Sequence, residues 1–311
     1  MQVMVLGGTG GLGLACVQHT HAAGHAVRVM ARNPGRVALP EGVERLTGDI
    51  GQGDDLARAL DSCEVVINCV NPPITEWAEH LLPLTDRVLA ACRTSGSRLV
   101  FPANVWVFGR GDATRVDEQR PFAPISARGA LRVEQERRVR ASGVRHTIVR
   151  LPEFYGPNVT TLMGAPFANA LAGRPIPWIG PLDRDVELVL MQDAAAAMVQ
   201  AGLAEGDTDE TFHLPGADAI TMRAFLAELL RQAGSRSLVV PVPGPLLSVA
   251  AWFSPLARVG ADLRSLWTDP IQLDGTKYRA RFGALHATPY AEGIRLTLDW
   301  LRAHPDVRMM Y

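Results

Sequence analysis

The chain has 311 residues, of which 47% are hydrophobic and 20% are charged, and its formal net charge is −1 at neutral pH. A chain of this length buries a large core, and so small a net charge argues against a general nucleic-acid binder. Four prolines interrupt the most apolar stretch, 238–259, so it falls short of the roughly 20 apolar residues of a membrane span, and we expect no membrane partner.

A first strand is predicted over residues 3–6, and it runs directly into a turn that is rich in glycine. Because the strand starts so early, we expect no signal peptide and a cytoplasmic protein, in line with four cysteines that show no C-x-x-C spacing. A tight turn from strand to helix needs residues without a Cβ, and bare backbone N–H groups at the helix N-terminus then bind a pyrophosphate. The alternative is a glycine-rich turn that binds nothing. The spacing predicts a dinucleotide site formed by Gly7, Thr9, Gly10, Gly11, Leu12 and Gly13.

Strands and helices alternate through the first half of the chain. The hydrophobic pattern predicts further strands over 26–30, 43–47, 64–70, 98–103 and 145–151, with long helices over 76–95 and 126–142. Repeated strand-helix-strand units predict an α/β protein with a Rossmann-like, doubly wound parallel sheet that carries helices on both faces.

Proline and glycine become dense from Pro152 onwards, which is typical of loops rather than of regular sheet. We therefore predict a dinucleotide-binding domain over 1–151, completed by 186–215, and a smaller, loop-rich C-terminal substrate lobe over 152–185 and 216–311. Apolar side chains of the lobe favour a modestly hydrophobic small molecule as the substrate, unless they simply form the core of the lobe. Helices are predicted over 192–203, 221–233 and 289–302.

The residue that follows the second predicted strand bears on the choice between NAD and NADP. An acidic side chain at this place hydrogen-bonds the ribose of NAD, whereas an arginine favours the 2′-phosphate of NADP. This chain has Arg32 there. NADP is therefore the predicted cofactor, and NAD is the alternative if Arg32 is an ordinary exposed arginine.

Four segments of the chain resemble the NAD-dependent epimerase/dehydratase branch of the short-chain dehydrogenase/reductase superfamily. The resemblance implies that Asp49 and Ile50 flank the adenine ring and that Cys69, Val70 and Asn71 line the cofactor groove. It also implies that the segment 150–157 borders the nicotinamide and the substrate. The resemblance further implies a homodimer, whereas the sequence itself leaves monomer and homodimer open. The segments are the glycine turn 7–13 and the stretches 32–34, 48–50 and 150–157.

The catalytic pair of that family is missing from this chain. Its members ordinarily carry Tyr-x-x-x-Lys on the helix after the fifth strand, whereas the 126–142 helix contains neither residue type. Asn104 stands in the place of the family's serine, and its amide can hydrogen-bond a carbonyl but cannot supply a proton. Arg128 fills the lysine position of an atypical subgroup that the helix resembles. It can bind a ribose, a phosphate or a carboxylate, or it can lie with Arg132 on a solvated helix face.

Two residues after the sixth strand are candidates for the missing proton-transfer group, one as an acid and one as a base. Tyr155 can replace the absent phenol if its loop brings it over the nicotinamide, although an aromatic residue in such a turn is more often packed than catalytic. Glu153 can act as a general base if burial raises its pKa, and a surface role is the alternative. No group of histidines or cysteines has the spacing of a metal site.

Three functional hypotheses remain. The first is an NADP-dependent oxidoreductase or epimerase-like enzyme that acts on a small carbonyl compound without the usual Tyr/Lys pair. The second is a non-catalytic, dinucleotide-sensing regulatory protein, and the third is a partner-binding scaffold with an inert cofactor. The intact glycine turn, the adenine-side residues and the separate lobe favour a ligand-closing site, which the first two hypotheses share. The missing acid and base favour the sensor. We prefer the enzyme, because the superfamily that the chain resembles includes members that turn over substrate without the Tyr/Lys pair.

Overall fold

Every strand predicted in the first half of the chain is present in the computed structural model, which describes residues 1–112, 114–206 and 209–306. The strands are β1 (Gln2–Leu6), β2 (Ala26–Ala31), β3 (Glu44–Thr47), β4 (Val65–Asn68), β5 (Arg98–Asn104), β6 (Arg115–Val116), β7 (His146–Leu151), β8 (Glu153–Tyr155), β9 (Ile176–Trp178), β10 (Asp185–Val186), β11 (Leu188–Leu190), β12 (Glu210–His213), β13 (Ile220–Thr221), β14 (Val239–Pro241) and β15 (Gln272–Leu273).

The helices alternate with these strands in the first half and dominate the second. The α-helices are α1 (Gly11–Ala22), α2 (Gly53–Ala59), α3 (Trp77–Ser95), α4 (Ala127–Ala141), α5 (Gly164–Leu171), α6 (Met191–Leu203), α7 (Met222–Ala233), α8 (Gly244–Phe253), α9 (Pro255–Leu263), α10 (Ser265–Thr268), α11 (Thr276–Phe282) and α12 (Tyr290–Ala303). Short 3-10 helices cover Pro34–Arg36, Ile74–Glu76 and Val105–Phe108.

Seven of the strands form one parallel sheet in the order β12-β7-β5-β4-β1-β2-β3. The register pairs Val3 of β1 with Val27 on one side and with Val65 on the other. The strand order reverses between β1 and β4, and doubly wound sheets bind their ligands at this switch point, outside the carboxyl ends of the strands. The prediction of a Rossmann-like α/β fold is confirmed.

Apolar side chains cover both faces of this sheet. One face packs against α1 and α6 through a cluster that includes Val17 and Met198. The other packs against α2, α3 and α4 through a cluster that includes Leu56 and Val88. Because the strands are buried on both sides, they are nearly continuous apolar runs rather than alternating ones.

The second part of the chain forms its own apolar core beside the sheet. Its members come from α5, α7 and α12 together with β9, β10 and β11, and they include Phe167, Trp178, Phe225 and Ile294. This core gives the lobe more regular structure than its density of proline and glycine indicates. The division into a domain over 1–151 with 186–215 and a lobe over the remaining segments stays a prediction.

Local rules explain where several of these elements begin. Ser126 caps α4, because its Oγ accepts a hydrogen bond of 3.0 Å from the amide of Gly129. Pro245 and Pro255 lie in the first turns of α8 and α9, where a backbone N–H has no intrahelical partner to lose. Two of the four prolines that interrupt the apolar stretch thus lie at the starts of two short helices. Within the described chain, no helix combines the length and the apolar character that crossing a bilayer demands.

Candidate functional site

The glycine turn joins β1 to α1 by close contacts that exclude side chains. Gly7 has a φ of +75°, and its carbonyl oxygen accepts a hydrogen bond of 3.0 Å from the amide of Gly10. A Cβ at Gly13 would lie 2.2 Å from the same oxygen, and a Cβ at Gly11 would lie 2.6 Å from the carbonyl oxygen of Asn158. Helix α1 can therefore pack this close to the turn only if residue 13 is glycine, and it can lie this close to Asn158 only if residue 11 is glycine.

Gly10 lies in the same turn but under a different constraint. A Cβ there would meet only the Gly7 carbonyl oxygen, at an ordinary 3.5 Å, so packing alone does not require a glycine. Gly10 is the N-cap of α1, no side chain caps this helix end, and its first turn holds no acidic residue. The N–H groups and the helix dipole are thus left for an anion, which fits the pyrophosphate of a dinucleotide. Thr9 and Leu12 are partly buried in the same turn.

The predicted adenine-side residues follow β2 and β3. Arg32 is exposed and comes directly after β2. Asp49 accepts a hydrogen bond of 2.7 Å from the amide of Gly51, and its own amide donates one of 3.1 Å to Asp55, while Ile50 packs on the core of this face. Because the carboxyl ends of parallel strands meet at one edge, these residues share that edge with the glycine turn. Their contact with a dinucleotide stays a prediction.

The segment after β4 connects the glycine turn to a cavity. A Cβ at Gly7 would lie 3.0 Å from the carbonyl group of Cys69 and 3.1 Å from the nitrogen of Val70, so the two backbones touch. Asn71, which follows Val70, lines the cavity described below. Its Oδ1 accepts a hydrogen bond of 2.9 Å from Arg132. The predicted groove residues therefore lie between the turn and the cavity.

This cavity, of about 480 Å³, opens at the carboxyl ends of β4, β5 and β7. Its sheet side consists of the segments that follow these strands, and its opposite wall comes from α8 and α9 of the lobe. A mostly apolar cavity of this size with a few polar groups is typical of small-molecule sites. The apolar lining includes Ile74, Trp77, Trp106, Phe154, Leu247 and Leu263.

Glu153 is the one carboxylic acid among the described residues that line the cavity. It begins β8, directly after Pro152, and it is partly buried. Burial raises the pKa of Glu153 to about 7, although a hydrogen bond from the side chain of Thr161 opposes the shift. A carboxyl group with this pKa can give or take a proton near neutral pH. The structure thus provides the raised pKa on which the prediction for Glu153 depends.

Asn104 ends β5 and lines the same cavity. Its Oδ1 accepts a hydrogen bond of 3.1 Å from the amide of Trp106, so the NH₂ end of its side chain is the part that can serve a carbonyl ligand. Its backbone oxygen accepts a hydrogen bond of 2.7 Å from Arg150. Arg150 is buried and also binds both carboxylate oxygens of Glu136 at 2.8 Å. A buried ion pair therefore holds the backbone of Asn104 in place.

Arg128 does not line the cavity. Its guanidinium forms an ion pair with Asp262 of α9 and donates a hydrogen bond of 3.3 Å to the carbonyl oxygen of Ile74. The residue one helical turn later, Arg132, lines the cavity instead, with its guanidinium 4.1 Å from the ring centroid of Trp77. Arg128 thus joins α4 to the lobe, and Arg132 is the arginine of this helix that reaches the site.

Tyr155 lies in the core of the lobe, not over the sheet edge. It is fully buried, and its ring centroid is 5.3 Å from that of Phe225 and 5.9 Å from that of Tyr290. Its Oη packs against Gly293 so closely that a Cβ at that glycine would lie 2.2 Å from it. Burial raises the pKa of the phenol well above its usual value. The structure gives Tyr155 the packing role, so the idea that it reaches the nicotinamide is not supported.

Sequence reasoning missed the wall that α8 and α9 contribute. The signal was present in the two prolines at 245 and 255, since a proline before an apolar run starts a helix as readily as it interrupts one. The stacking of Arg132 on Trp77 had no such local signal, because the two residues are far apart in the chain.

Known proteins resemble this chain both in sequence and in fold. Residues 3–214 match the model of the NAD dependent epimerase/dehydratase family. The (4-alkanoyl-5-oxo-2,5-dihydrofuran-3-yl)methyl phosphate reductase of Streptomyces griseus is 30% identical over 75% of this chain and 74% of its own. Eugenol synthase 1 of Petunia hybrida is 27% identical, over 52% of each chain. The UDP-glucose 4-epimerase of Thermotoga maritima shares the fold, with a TM-score of 0.79 at 19% identity over 98% of this chain and 100% of that one.

Proposed function

Because this chain belongs to the NAD dependent epimerase/dehydratase family, we propose that it is an NAD(P)-dependent reductase of a small, largely apolar carbonyl compound. One observation carries the proposal: an apolar cavity of about 480 Å³ at the carboxyl edge of the sheet is lined by a carboxylic acid, Glu153, and by an amide, Asn104. Apolar walls select the body of the substrate, and the two polar groups orient its reacting end.

In the proposed reaction a carbonyl group becomes an alcohol. The reduced dinucleotide, when bound, supplies a hydride to the carbonyl carbon. The π electron pair of the C=O bond moves to the oxygen, which takes the proton of Glu153 in its neutral form. The NH₂ group of Asn104 donates a hydrogen bond to the same oxygen and thereby stabilises the charge that develops there. Glu153 then regains its proton from solvent.

NADP is the proposed form of the cofactor. Arg32 is exposed directly after β2, where its guanidinium can bind a 2′-phosphate. The pyrophosphate is assigned to the N-terminus of α1 and the adenine to the surroundings of Asp49 and Ile50. The segment 69–71 then borders the nicotinamide half, next to the cavity.

Reduction is favoured over epimerisation by two observations. The Streptomyces relative is named as a reductase, and the cavity of this chain is mostly apolar rather than lined by the many polar groups that a sugar requires. An alkyl or aromatic body fits such walls better than a nucleotide sugar does.

A dinucleotide sensor without chemistry is the second candidate. It is favoured by α4, which contains neither tyrosine nor lysine, and by the burial of Tyr155 in the lobe. A sensor uses the same glycine turn but needs no acid in the cavity.

The test is a titration of the purified protein with NADPH and NADH, followed by incubation of the bound form with apolar aldehydes, ketones and enones. Micromolar binding with oxidation of the cofactor by one of these compounds supports the reductase. Binding without any turnover favours the sensor, and no binding of either dinucleotide contradicts both.

A further inference from the structure

Helix α8 exposes apolar side chains to an unusual degree. Of its residues in the described structure, only Leu247 is buried. Trp252 is 82% exposed and Phe253 is 84% exposed, and Leu246 and Val249 also face outwards. Soluble proteins rarely leave several large apolar side chains together at their surface without a partner.

The exposed surface extends to the neighbouring segments of the lobe. Leu238 and Val240, next to and within β14, are exposed, as is Leu256 at the start of α9. We call these three residues, together with Leu246, Val249, Trp252 and Phe253, the α8 surface. The same two helices also form a wall of the cavity, through residues such as Leu247 and Leu263, and Leu256 belongs both to the α8 surface and to this wall.

Positive charge borders the α8 surface. The Nε of Arg258 donates a hydrogen bond of 3.3 Å to the carbonyl oxygen of Ala251, near the end of α8. The guanidinium of Arg264 lies beside Gly244, the first residue of α8. A Cβ at Gly244 would be 3.3 Å from the Cζ of this arginine. Arg236 is exposed two residues before Leu238.

Negative charge is absent from the same region. No aspartate or glutamate occurs between residues 229 and 261 of the sequence. The acidic residues just outside, Glu228 and Asp262, already form ion pairs with Arg231 and Arg128. By contrast, Arg236, Arg258 and Arg264 have no carboxylate within ion-pair distance among the described residues. The surplus is local, because the whole chain has a net charge of −1.

We propose that the α8 surface docks on an anionic lipid bilayer. Exposed tryptophan, phenylalanine and aliphatic side chains insert at the level of the headgroups, and arginines beside them bind anionic lipids. An acidic protein partner would also satisfy the arginines, but the aromatic pair at the end of a short helix is better suited to an interface between water and lipid. The expectation of no membrane partner rests on the lack of a spanning segment, which this mode of binding does not need.

Docking in this orientation would place the lobe wall of the cavity at the membrane. The binding itself goes beyond the proposed function and requires no catalytic activity, so it is tested without a substrate.

The experiment is co-flotation of the full chain with vesicles of phosphatidylcholine alone and of an equal mixture of phosphatidylcholine and phosphatidylglycerol, at low and high ionic strength. We expect binding to the anionic vesicles and its weakening by salt. The double variant Trp252→Ser/Phe253→Ser should bind at least about ten-fold more weakly, and so should Arg236→Gln/Arg258→Gln. The matched control is Ile125→Ser, which changes an exposed apolar residue in the loop before α4 and should bind like the wild type.

A second measurement tests directly whether Trp252 enters the lipid, first in the wild-type chain and then in a conservative variant. Brominated lipids should quench part of its tryptophan fluorescence, and Trp252→Phe should bind the same vesicles with most of this quenching lost, because the other described tryptophans are less exposed. The proposal is overturned if no vesicle binds at low ionic strength, or if Trp252→Ser/Phe253→Ser binds like the wild type. It is also overturned if light scattering shows a dimer that this variant dissociates while no vesicle binds, since a second copy would then cover the surface.

Discussion

Arg150 and Glu136 form a bidentate ion pair in the interior, with both N–O distances at 2.8 Å and both side chains buried. The pair joins β7 to α4, and the same guanidinium reaches the carbonyl oxygen of Asn104 at 2.7 Å and the ring of His213 at 3.1 Å. Removing one partner leaves a buried charge without its counterion.

We therefore expect Glu136→Gln to lower the free energy of unfolding by about 3 to 5 kcal/mol. Glu134→Gln on the same helix is the matched control, because Glu134 pairs with Arg138 at the surface and exposed pairs contribute less than about 1 kcal/mol. Urea denaturation of both variants gives the comparison. Equal, small losses would show that the buried pair contributes little.

Gly13 and Gly10 should respond differently to alanine. Gly13→Ala places a Cβ against the Gly7 carbonyl, so we expect it to lower the free energy of unfolding by about 2 kcal/mol or more. Gly10→Ala meets no close neighbour in the protein, and its unfolding should change by less than about 1 kcal/mol. A pyrophosphate on this turn would nevertheless meet the new methyl group, and NADPH affinity should fall by about ten-fold or more. Unchanged affinity in a stable Gly10→Ala variant would remove the cofactor from this turn.

Arg32 determines the expected preference for NADP. Arg32→Glu should weaken NADPH binding by about 1.5 to 3 kcal/mol, the range of hydrogen bonds to charged groups, while NADH affinity changes little. Arg45→Glu introduces the same charge change at an exposed position within β3 and serves as the control. Fluorescence titration measures all four affinities. If Arg32→Glu and Arg45→Glu behave alike, Arg32 is an ordinary surface residue.

The raised pKa of Glu153 leads us to expect that kcat of the proposed reduction depends on pH. The neutral carboxyl gives the proton, and its pKa is about 7, so kcat should fall as the pH rises through about 7. Glu153→Gln cannot give a proton and should lower kcat by about 10² to 10⁴. Asn104→Ala should lower kcat without moving this pH midpoint, because an amide does not titrate. A pH profile that is the same in Glu153→Gln and in the wild type would assign the proton to another group.

The same pKa affects stability. The folded pKa of Glu153 lies above its ordinary value, so its contribution is complete at pH values below that ordinary value and is lost as the pH rises through about 7. Glu153→Gln should therefore be more stable than the wild type at pH 8, by about 1 to 3 kcal/mol, and little different at pH 4. Denaturation at the two pH values tests this without any substrate.

Tyr155→Phe should leave turnover unchanged. The Tyr155 hydroxyl is buried and has no hydrogen-bond partner among the described residues, so its removal should cost less than about 1 kcal/mol or even stabilise the fold. The same substitution at Tyr278, whose hydroxyl bonds Gln200 at 2.5 Å, should cost about 1 kcal/mol. Loss of activity in a stable Tyr155→Phe variant would return this phenol to the mechanism.

The elements that were predictable from sequence are those set by local patterns. The glycine turn after β1 and the apolar strands follow from spacing alone, and parallel pairing then brings Asp49, Asn71 and Asn104 to one edge. Arg128 and Arg132 were not distinguishable, because their roles depend on Asp262 and Trp77, which are distant in the chain. The burial of Tyr155 likewise depends on distant aromatic residues, and no local pattern indicates which of them fold over it.

The cavity is assembled from segments that span most of the chain, from Asn71 to Trp267. The residues proposed to hold the dinucleotide, in contrast, all precede residue 72. A deletion of 244–263 would remove one wall of the cavity and touch none of those residues. If the proposed function holds, we expect such a shortened protein to bind the dinucleotide but to have no site for a substrate, so that losing α8 and α9 alone separates cofactor binding from turnover.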